Sequence, residues 1–374
     1  MSRLFHLILA TALLTAGIRR TEAAPTRSAV RIQVFPGHSP SGDRTILQAA
    51  LDSLKALGGG TLALAAGLYR IENVQNAIVC DSCRNISVVG TGASTVLRAE
   101  PGTDGADAFF LFRHAAGITF RNLRMEGLPL PMEAWETNQE YHGGIRFAES
   151  LDIRIDRCSF RGFFTGAIIF QAGTRGFSVT DCRFDTVSYR LKGDYGAISI
   201  ETGSGRGSVL RNRFAGTTHS AISAYNSDSL EILRNRADFD LRSAYTMGVF
   251  APQGLSRSII SRNRFTGVAN EGVVLNSGEK GVIGNRIERN VLNGRFAGVA
   301  INDGRFGCDQ DAALDNVIYG NEITGVGTDS VQHAILLNHA ARTVVHGNSI
   351  RRCHRAVSIQ NCSSDTQTIR NSIQ

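Results

Sequence analysis

Carboxyl, imidazole and phenol side chains crowd one stretch of this 374-residue chain: Asp194, Tyr195, Glu201, His219 and Tyr225. Acid–base catalysis needs one group that takes a proton and another that gives one, and such a mixture can supply both. Glu271, Asp303 and His333 continue the series, joined by the amides Asn276, Asn302 and Asn338. Arg146, Arg190 and Lys192 are cations that could hold an anionic substrate group.

Two chemistries compete for these residues. A β-eliminating enzyme needs a cation on a uronate carboxylate and a base for the C5 proton. His219, Tyr195 or Tyr225 could be the base, with Arg146, Arg190 or Lys192 as clamp. A hydrolase or glycosyl transferase needs two carboxyl groups at a separation set by whether water or the enzyme attacks. Asp194 and Glu201 are the obvious pair, with Glu271 and Asp303 in reserve. At ~3.3 Å per residue, Asp194 reaches Glu201 only if its loop folds back. A third reading is a non-catalytic carbohydrate-binding surface that uses the same amides.

Repeated strands must position these groups. Segments of the form small–apolar–x–apolar–x recur at 144–148, 167–171, 197–201, 221–225, 248–252, 272–276, 298–302, 334–338 and 356–360. Side chains alternate along a strand, so Ile145 and Phe147, Ile198 and Ile200, and Val273 and Leu275 should enter the core. The fifth residues then face out as one column: Gln171, Glu201, Tyr225, Pro252, Asn276, Asn302, Asn338 and Gln360. His142, Asp194, Tyr195, His219, Glu271 and His333 lie where loops feed the strands, and Asp303 lies just beyond one. The loop 126–142 carries the only tryptophan, Trp135, which could stack on a sugar ring above this face.

A second repeat fixes how the strands stack. An Asn-centred phrase returns around Asn122, Asn212, Asn235, Asn263, Asn290, Asn321, Asn348 and Asn371, with Cys158 and Cys182 filling two further places. Steps of roughly 23 to 36 residues are those of solenoid coils. A buried Asn at a bend can bond the turn backbone and the amide stacked above it. Residues 41–57 read as an amphipathic helix capped by Ser41 or Asp43, with Ile46, Leu47, Ala50, Leu51, Leu54 and Leu57 on one face and Gly58–Gly60 as its stop. A solenoid end needs such a cover.

The helix, its glycine break, the Ala-Gly-Leu-Tyr phrase at 66–69 and the Asn ladder together resemble the pectin-lyase-like, right-handed parallel β-helix superfamily. The resemblance covers roughly residues 30–374 and implies an all-β, single-stranded solenoid of three strands per coil, with an N-terminal capping helix. It also implies that the active site lies on the outward strand face beside the variable loops. It does not choose a reaction, because the superfamily hosts lyases, hydrolases, epimerases and adhesins. The Asn-Thr-Asp, Asp-Asp and Gly-His-Gly set of polygalacturonases, the Arg-x-Pro-x-x-Arg phrase of pectate lyases and the Asp-Pro-His-Asp phrase of mannuronan epimerases are missing. That lowers the expectation of those activities. Tyr141-His142 and Asp194…Glu201 are faintly similar to inulin fructotransferases.

The organisation expected is a secretory leader over 1–24 and one β-helix domain over 25–374, hence a secreted or periplasmic protein. No later apolar stretch reaches membrane-spanning length, and no nucleic-acid module is recognisable. The partner expected is a polysaccharide or oligosaccharide, and the formal charge of +7 suits an acidic one. No cofactor is assured, although groove carboxylates could ligate calcium. Seven cysteines include Cys80 and Cys83, a lone CxxC, and the stacked Cys158 and Cys182, open to reading as thiols or a disulfide; Cys308, Cys353 and Cys362 could include one bridge. The motifs leave oligomeric state open.

Overall fold

Short apolar alternations broken by residues that tolerate positive φ can form only brief strands joined by sharp bends. The computed structural model describes residues 30–374 except 38, 73–76, 101–107, 129–142, 188–195, 217–218, 240–245, 268–269, 278–280, 303–312, 326–332 and 362. Among these, the strands lie in four parallel sheets of 13, 12, 11 and 5 strands. Neighbours in each sheet belong to successive coils, so the chain winds as a parallel β-helix. The leader expected over 1–24 lies outside the described residues.

One coil shows the path. Met247–Ala251 lies in the 11-stranded sheet, Leu255–Ser256 in the short sheet, Ile259–Ser261 in the 13-stranded sheet and Arg264–Thr266 in the 12-stranded sheet. The chain then re-enters the 11-stranded sheet at Glu271–Asn276. All nine segments expected to share a face contribute to that sheet. Ile145, Phe147, Ile198, Ile200, Val273 and Leu275 are fully buried, as their alternation requires. Inside, Phe112, Phe147 and Phe170 stack coil on coil, with centroids 5.4 and 5.6 Å apart.

Coils are locked by the Asn ladder. Asn263 donates through Nδ2 to Ile232 O at 2.8 Å and to Asn290 Oδ1 at 3.0 Å, while its Oδ1 accepts from Asn235 N and Nδ2. The pattern runs from Asn212 through Asn371, and Cys182 N joins it by donating to Asn212 Oδ1. The residue before each rung, Arg157 through Arg370, has φ between 50° and 64°. Asn122 is not a rung. It holds that left-handed place itself, with φ 53°, and Leu123 takes the ladder level, accepting from Ser159 N as Cys158 accepts from Arg183 N.

The expectation of three strands per coil also needs correction. From Ser227 onward a fourth, short strand enters, turned by a second ladder: Ser258 N donates to Asn285 Oδ1, and Asn285 Nδ2 to Asn316 Oδ1. Asn285 and Asn316 lie only five residues before Asn290 and Asn321, so a single-bend reading hides them.

The helix spans Pro40–Ala56 and is capped by Ser39, whose Oγ accepts from Gly42 N, rather than by Ser41 or Asp43. Asp43 is buried and binds the backbone of Gly37 and Arg70. Leu47, Ala50, Leu51 and Leu54 face the coil, whereas Ile46 and Leu57 are exposed. Gln48 pairs with both backbone groups of Val79 at 2.8 Å, which blunts the open edge of the 11-stranded sheet. Cys80 and Cys83 form a disulfide, while Cys158 and Cys182 are buried thiols and Cys353 is free. Cys308 and Cys362 lie outside the described residues.

The ladder yields a differential prediction. Asn263→Ala leaves two Asn235 donors and the Ile232 carbonyl unsatisfied, at about 1–3 kcal/mol each before relaxation. Asn122→Ala removes only a favourable left-handed residue, about 1–2 kcal/mol. Urea denaturation should show the larger midpoint loss for Asn263→Ala; equal losses would refute the register assigned here.

Candidate functional site

Strand alternation gives the 11-stranded sheet an outer face with two columns, and a third lies where the alternation breaks. A Cβ at Gly248, Gly272 or Gly298 would meet core Phe265, Leu292 or Ile323, so these residues turn inward and Met247 and Ala297 before them pack on the outer face. The far column holds Gln171, Glu201, Tyr225, Pro252, Asn276, Asn302, Asn338 and Gln360. Its alignment follows from Ala148↔Gln171, Glu201 N to Phe170 O, Tyr225 N to Ile200 O, Asn276↔Asn302 and Asn338↔Gln360. Glu201, Tyr225, Asn276 and Asn338 are partly exposed beside buried Ile200, Ala224, Leu275 and Leu337. The Asn302 backbone is in register, but its side chain lies outside the description.

The middle column is not a polar row. It runs Arg146, Ile169, Ser199, Ser223, Phe250, Val274, Ala300, Leu336. Met247, Val274, Ala297 and Ala300, with Phe250 and Leu336 against them, form an apolar cluster separate from the main core. An apolar floor between polar edges suits the ring faces of a sugar, whose hydroxyls point sideways.

The near column, where loops enter, is Gly196, Ser220, Met247, Glu271, Ala297, His333 and Arg355. Glu271 lies between Met247 and Ala297, and burial without a compensating charge pushes its carboxyl up to about 7. His219 immediately precedes Ser220, and its ring meets Phe250 edge-on at 5.6 Å. His333 Nδ1 is buried without a hydrogen-bond partner among the described residues. Burial first, then Arg355 and His354, hold the His333 pKa below its usual value. Two coil steps, roughly 10 Å, separate Glu271 from each histidine.

The titratable groups expected as one centre are therefore divided. Glu201 and Tyr225 sit at the far end of the strands and His219 at the near end, roughly 20 Å away by strand rise. Burial raises the Glu201 pKa, opposed by the charge of Arg146. Three coils and five strand positions put Glu201 about 20 Å from Glu271, beyond any carboxylate pair that works on one glycosidic bond. Trp135, His142, Arg190, Lys192, Asp194, Tyr195 and Asp303 lie outside the described residues. Among the described residues, no group of three or more His, Cys, Asp or Glu is disposed to hold a metal ion. Arg355 and the apolar pair Met247 and Phe250 escaped the sequence reading. Arg355 precedes its strand segment as Glu271 and His333 precede theirs, which was the available signal.

Comparison with solved structures identifies the architecture. A tailspike protein of E. coli bacteriophage HK620, in complex with a pentasaccharide, matches with TM-score 0.66 and 14% identity over 91% of this chain and 64% of that one. An exopolygalacturonase from Thermotoga maritima matches with TM-score 0.65 and 11% identity, over 92% and 93% of the two chains. The fold is the right-handed parallel β-helix.

The A-module of mannuronan C-5 epimerase AlgE6 from Azotobacter vinelandii matches the β-helix with TM-score 0.55 and 14% identity, over 91% of this chain and 96% of the module. Mannuronan C5-epimerases AlgE2 and AlgE5 of the same organism are each 35% identical over 99 residues, 25% of this chain. That match spans a tenth of the length of those relatives. No family model matches the chain.

The Glu271 environment has a measurable consequence. Below the ordinary carboxylate pKa both folded and unfolded chains hold this proton. As pH rises toward 7 the unfolded chain releases it first, so stability is lost, up to the order of 3 kcal/mol above the folded pKa. Glu271→Gln removes that loss. Its melting temperature should match the parent near about pH 4 and exceed it near about pH 8; an equal difference at both would contradict the buried carboxyl.

Proposed function

We propose that this chain is a carbohydrate-active enzyme that binds an acidic polysaccharide across the 11-stranded sheet and cleaves it by β-elimination, with Glu271 as the base. The observation that carries the reading is Glu271 itself: an outward-facing carboxyl, enclosed by apolar neighbours, with its pKa raised to about 7. A base poised there is ionised in useful amount near neutrality and is far stronger than an ordinary carboxylate.

Glu271 takes the C5 proton of a uronate; the C5–H electron pair forms the C4–C5 double bond; the C4–oxygen bond breaks, and the leaving oxygen takes a proton. Arg355, exposed in the same column three coil steps from Glu271, can hold the carboxylate of a uronate farther along the groove. His219 and His333 each lie two coil steps from Glu271, too far to serve the same glycosidic bond directly, so the leaving oxygen takes its proton from water. The apolar floor around Phe250 and Val274 supports the sugar ring, and the amides of the far column receive the hydroxyls of sugars farther along the groove.

Epimerisation is the second reading. It shares proton removal at C5 and differs in returning a proton to the opposite face, and the 35% identity to mannuronan C5-epimerases favours weighing it. Two-carboxylate hydrolysis would need Asp194 or Asp303 as a partner, since Glu201 and Glu271 are too far apart. Export through a leader over 1–24 completes the proposal, and no helix among the described residues is long and apolar enough to cross a membrane.

A panel of polyuronates tests the reading. Elimination generates ultraviolet-absorbing unsaturated ends, and epimerisation in deuterated water places deuterium at C5 without cleavage. Glu271→Gln should lower turnover by about 10²–10⁴-fold, and the parent rate should rise with pH through about 7 as the base ionises. Reducing ends without unsaturation, or an active Glu271→Gln enzyme, would overturn the assignment.

A further inference from the structure

A ladder of buried amides needs one Asn per coil and a left-handed residue before it, but no charge on either side. Three successive coils nevertheless read Arg-Asn-Arg, at 211–213, 234–236 and 262–264. Pairing register sets Arg183, Arg213, Arg236 and Arg264 directly over one another on the outer face of the 12-stranded sheet. Arg211, Arg234, Arg262 and Arg289 form a second row along the bend, each with φ of 55–57°. All eight are exposed, while the asparagines between the rows, Asn212, Asn235, Asn263 and Asn290, are buried.

Both rows oppose stability. Like charges on directly paired strands repel. Left-handed backbone favours glycine over arginine, and Gly320 and Gly347 hold that place in later coils. Carboxylates do not offset most of the charge. Arg211 pairs with Asp181 at 2.8 Å, and Arg289 lies over the Tyr319 ring at 5.8 Å. Arg183, Arg213, Arg234, Arg236, Arg262 and Arg264 have no ion pair among the described residues. Asp185 and Asp238 line the strip, but Asp185 turns to Arg161 at 3.9 Å and Asp238 makes no ion pair among the described residues. Hollows of about 280 and 200 Å³ open along the first row, sharing Arg183.

We propose that this double row is a docking strip for a linear acidic polysaccharide, separate from the groove on the 11-stranded sheet. One guanidinium per coil recurs every ~4.8 Å, close to the length of one sugar in an extended glycan. Successive carboxylates can therefore each meet a guanidinium, the geometry in which arginine binds best. The strip lacks the aromatic platforms that hold single-stranded nucleic acid, since Phe214 and Phe265 beside the arginines are buried. It also lacks the apolar face of a membrane-binding surface. A polymer anchored here would be kept beside the groove between turnovers. The proposal depends on the preceding reading only for its choice of an acidic glycan as probe.

The test uses the full chain and sodium polygalacturonate, with binding measured by calorimetry at low and high salt. The variant Arg213→Gln/Arg236→Gln/Arg264→Gln should bind about tenfold more weakly, with a flatter salt dependence, because fewer counterions are exchanged. Its turnover of an oligouronate too short to reach the strip should equal the parent's. Binding is read without turnover, so a loss of affinity stands even if the groove proves inactive on uronates. If the triple variant does not melt cooperatively, Arg236→Gln alone should weaken binding about threefold. Unchanged affinity, an equal loss toward neutral dextran, or tighter binding of duplex DNA or anionic vesicles than of polygalacturonate would overturn the proposal.

Discussion

Everything in this molecule depends on coils lying directly over one another, and the buried amide ladder is what holds them there. Each Asn side chain bonds the backbone of one neighbouring coil and the amide of the other, so a slip by one residue would leave several groups unpaired at once. Register is thereby fixed far more tightly than apolar packing alone would fix it. The outward columns inherit that precision. Glu271 faces Met247 on one side and Ala297 on the other because the same translation repeats at every coil.

The groove combines features that work against each other. An apolar patch on the outer face lowers the local dielectric, which favours a stacked sugar ring but penalises an ionised Glu271. The fold can sustain a raised carboxyl because the surrounding coils bury a continuous core of Phe, Ile, Leu and Val. Glu201 shows the contrast at the other end of the strands. Its burial also disfavours charge, yet Arg146 pulls in the opposite direction. Two carboxyls on one sheet thus differ because only one has a cation near it.

Much of the architecture was legible because repetition makes a weak local signal strong. The segments 197–201 and 272–276 are too short to define a strand alone, but nine such segments in step define a sheet. Errors arose where two positions look alike in one dimension. Asn122 and Leu123 compete for one rung, and the φ of 53° at Asn122 together with the bond from Ser159 N to Leu123 O decides between them. Asn285 and Asn290 read as one bend until hydrogen bonds assign them to separate ladders. The candidate site was less legible. His219 and Tyr225 are neighbours in sequence, yet a strand holds them apart, since extended chain is the least compact way to join two residues.

The comparisons illustrate why such a fold does not disclose its reaction. A tailspike, an exopolygalacturonase and an epimerase module each overlay more than nine-tenths of this chain at 11–14% identity. Inward positions such as Ile200 and Leu275 need only be apolar and of suitable size, so the coil survives almost any sequence that keeps the alternation. Outward positions carry no such demand. Chemistry can be exchanged there column by column without disturbing the core, and shared architecture therefore says little about it. What distinguishes this chain is the outward set itself: Glu271 with His219, His333 and Arg355 on one sheet, and stacked arginines on another. Neither set is needed to build the solenoid, so selection for the fold alone accounts for neither.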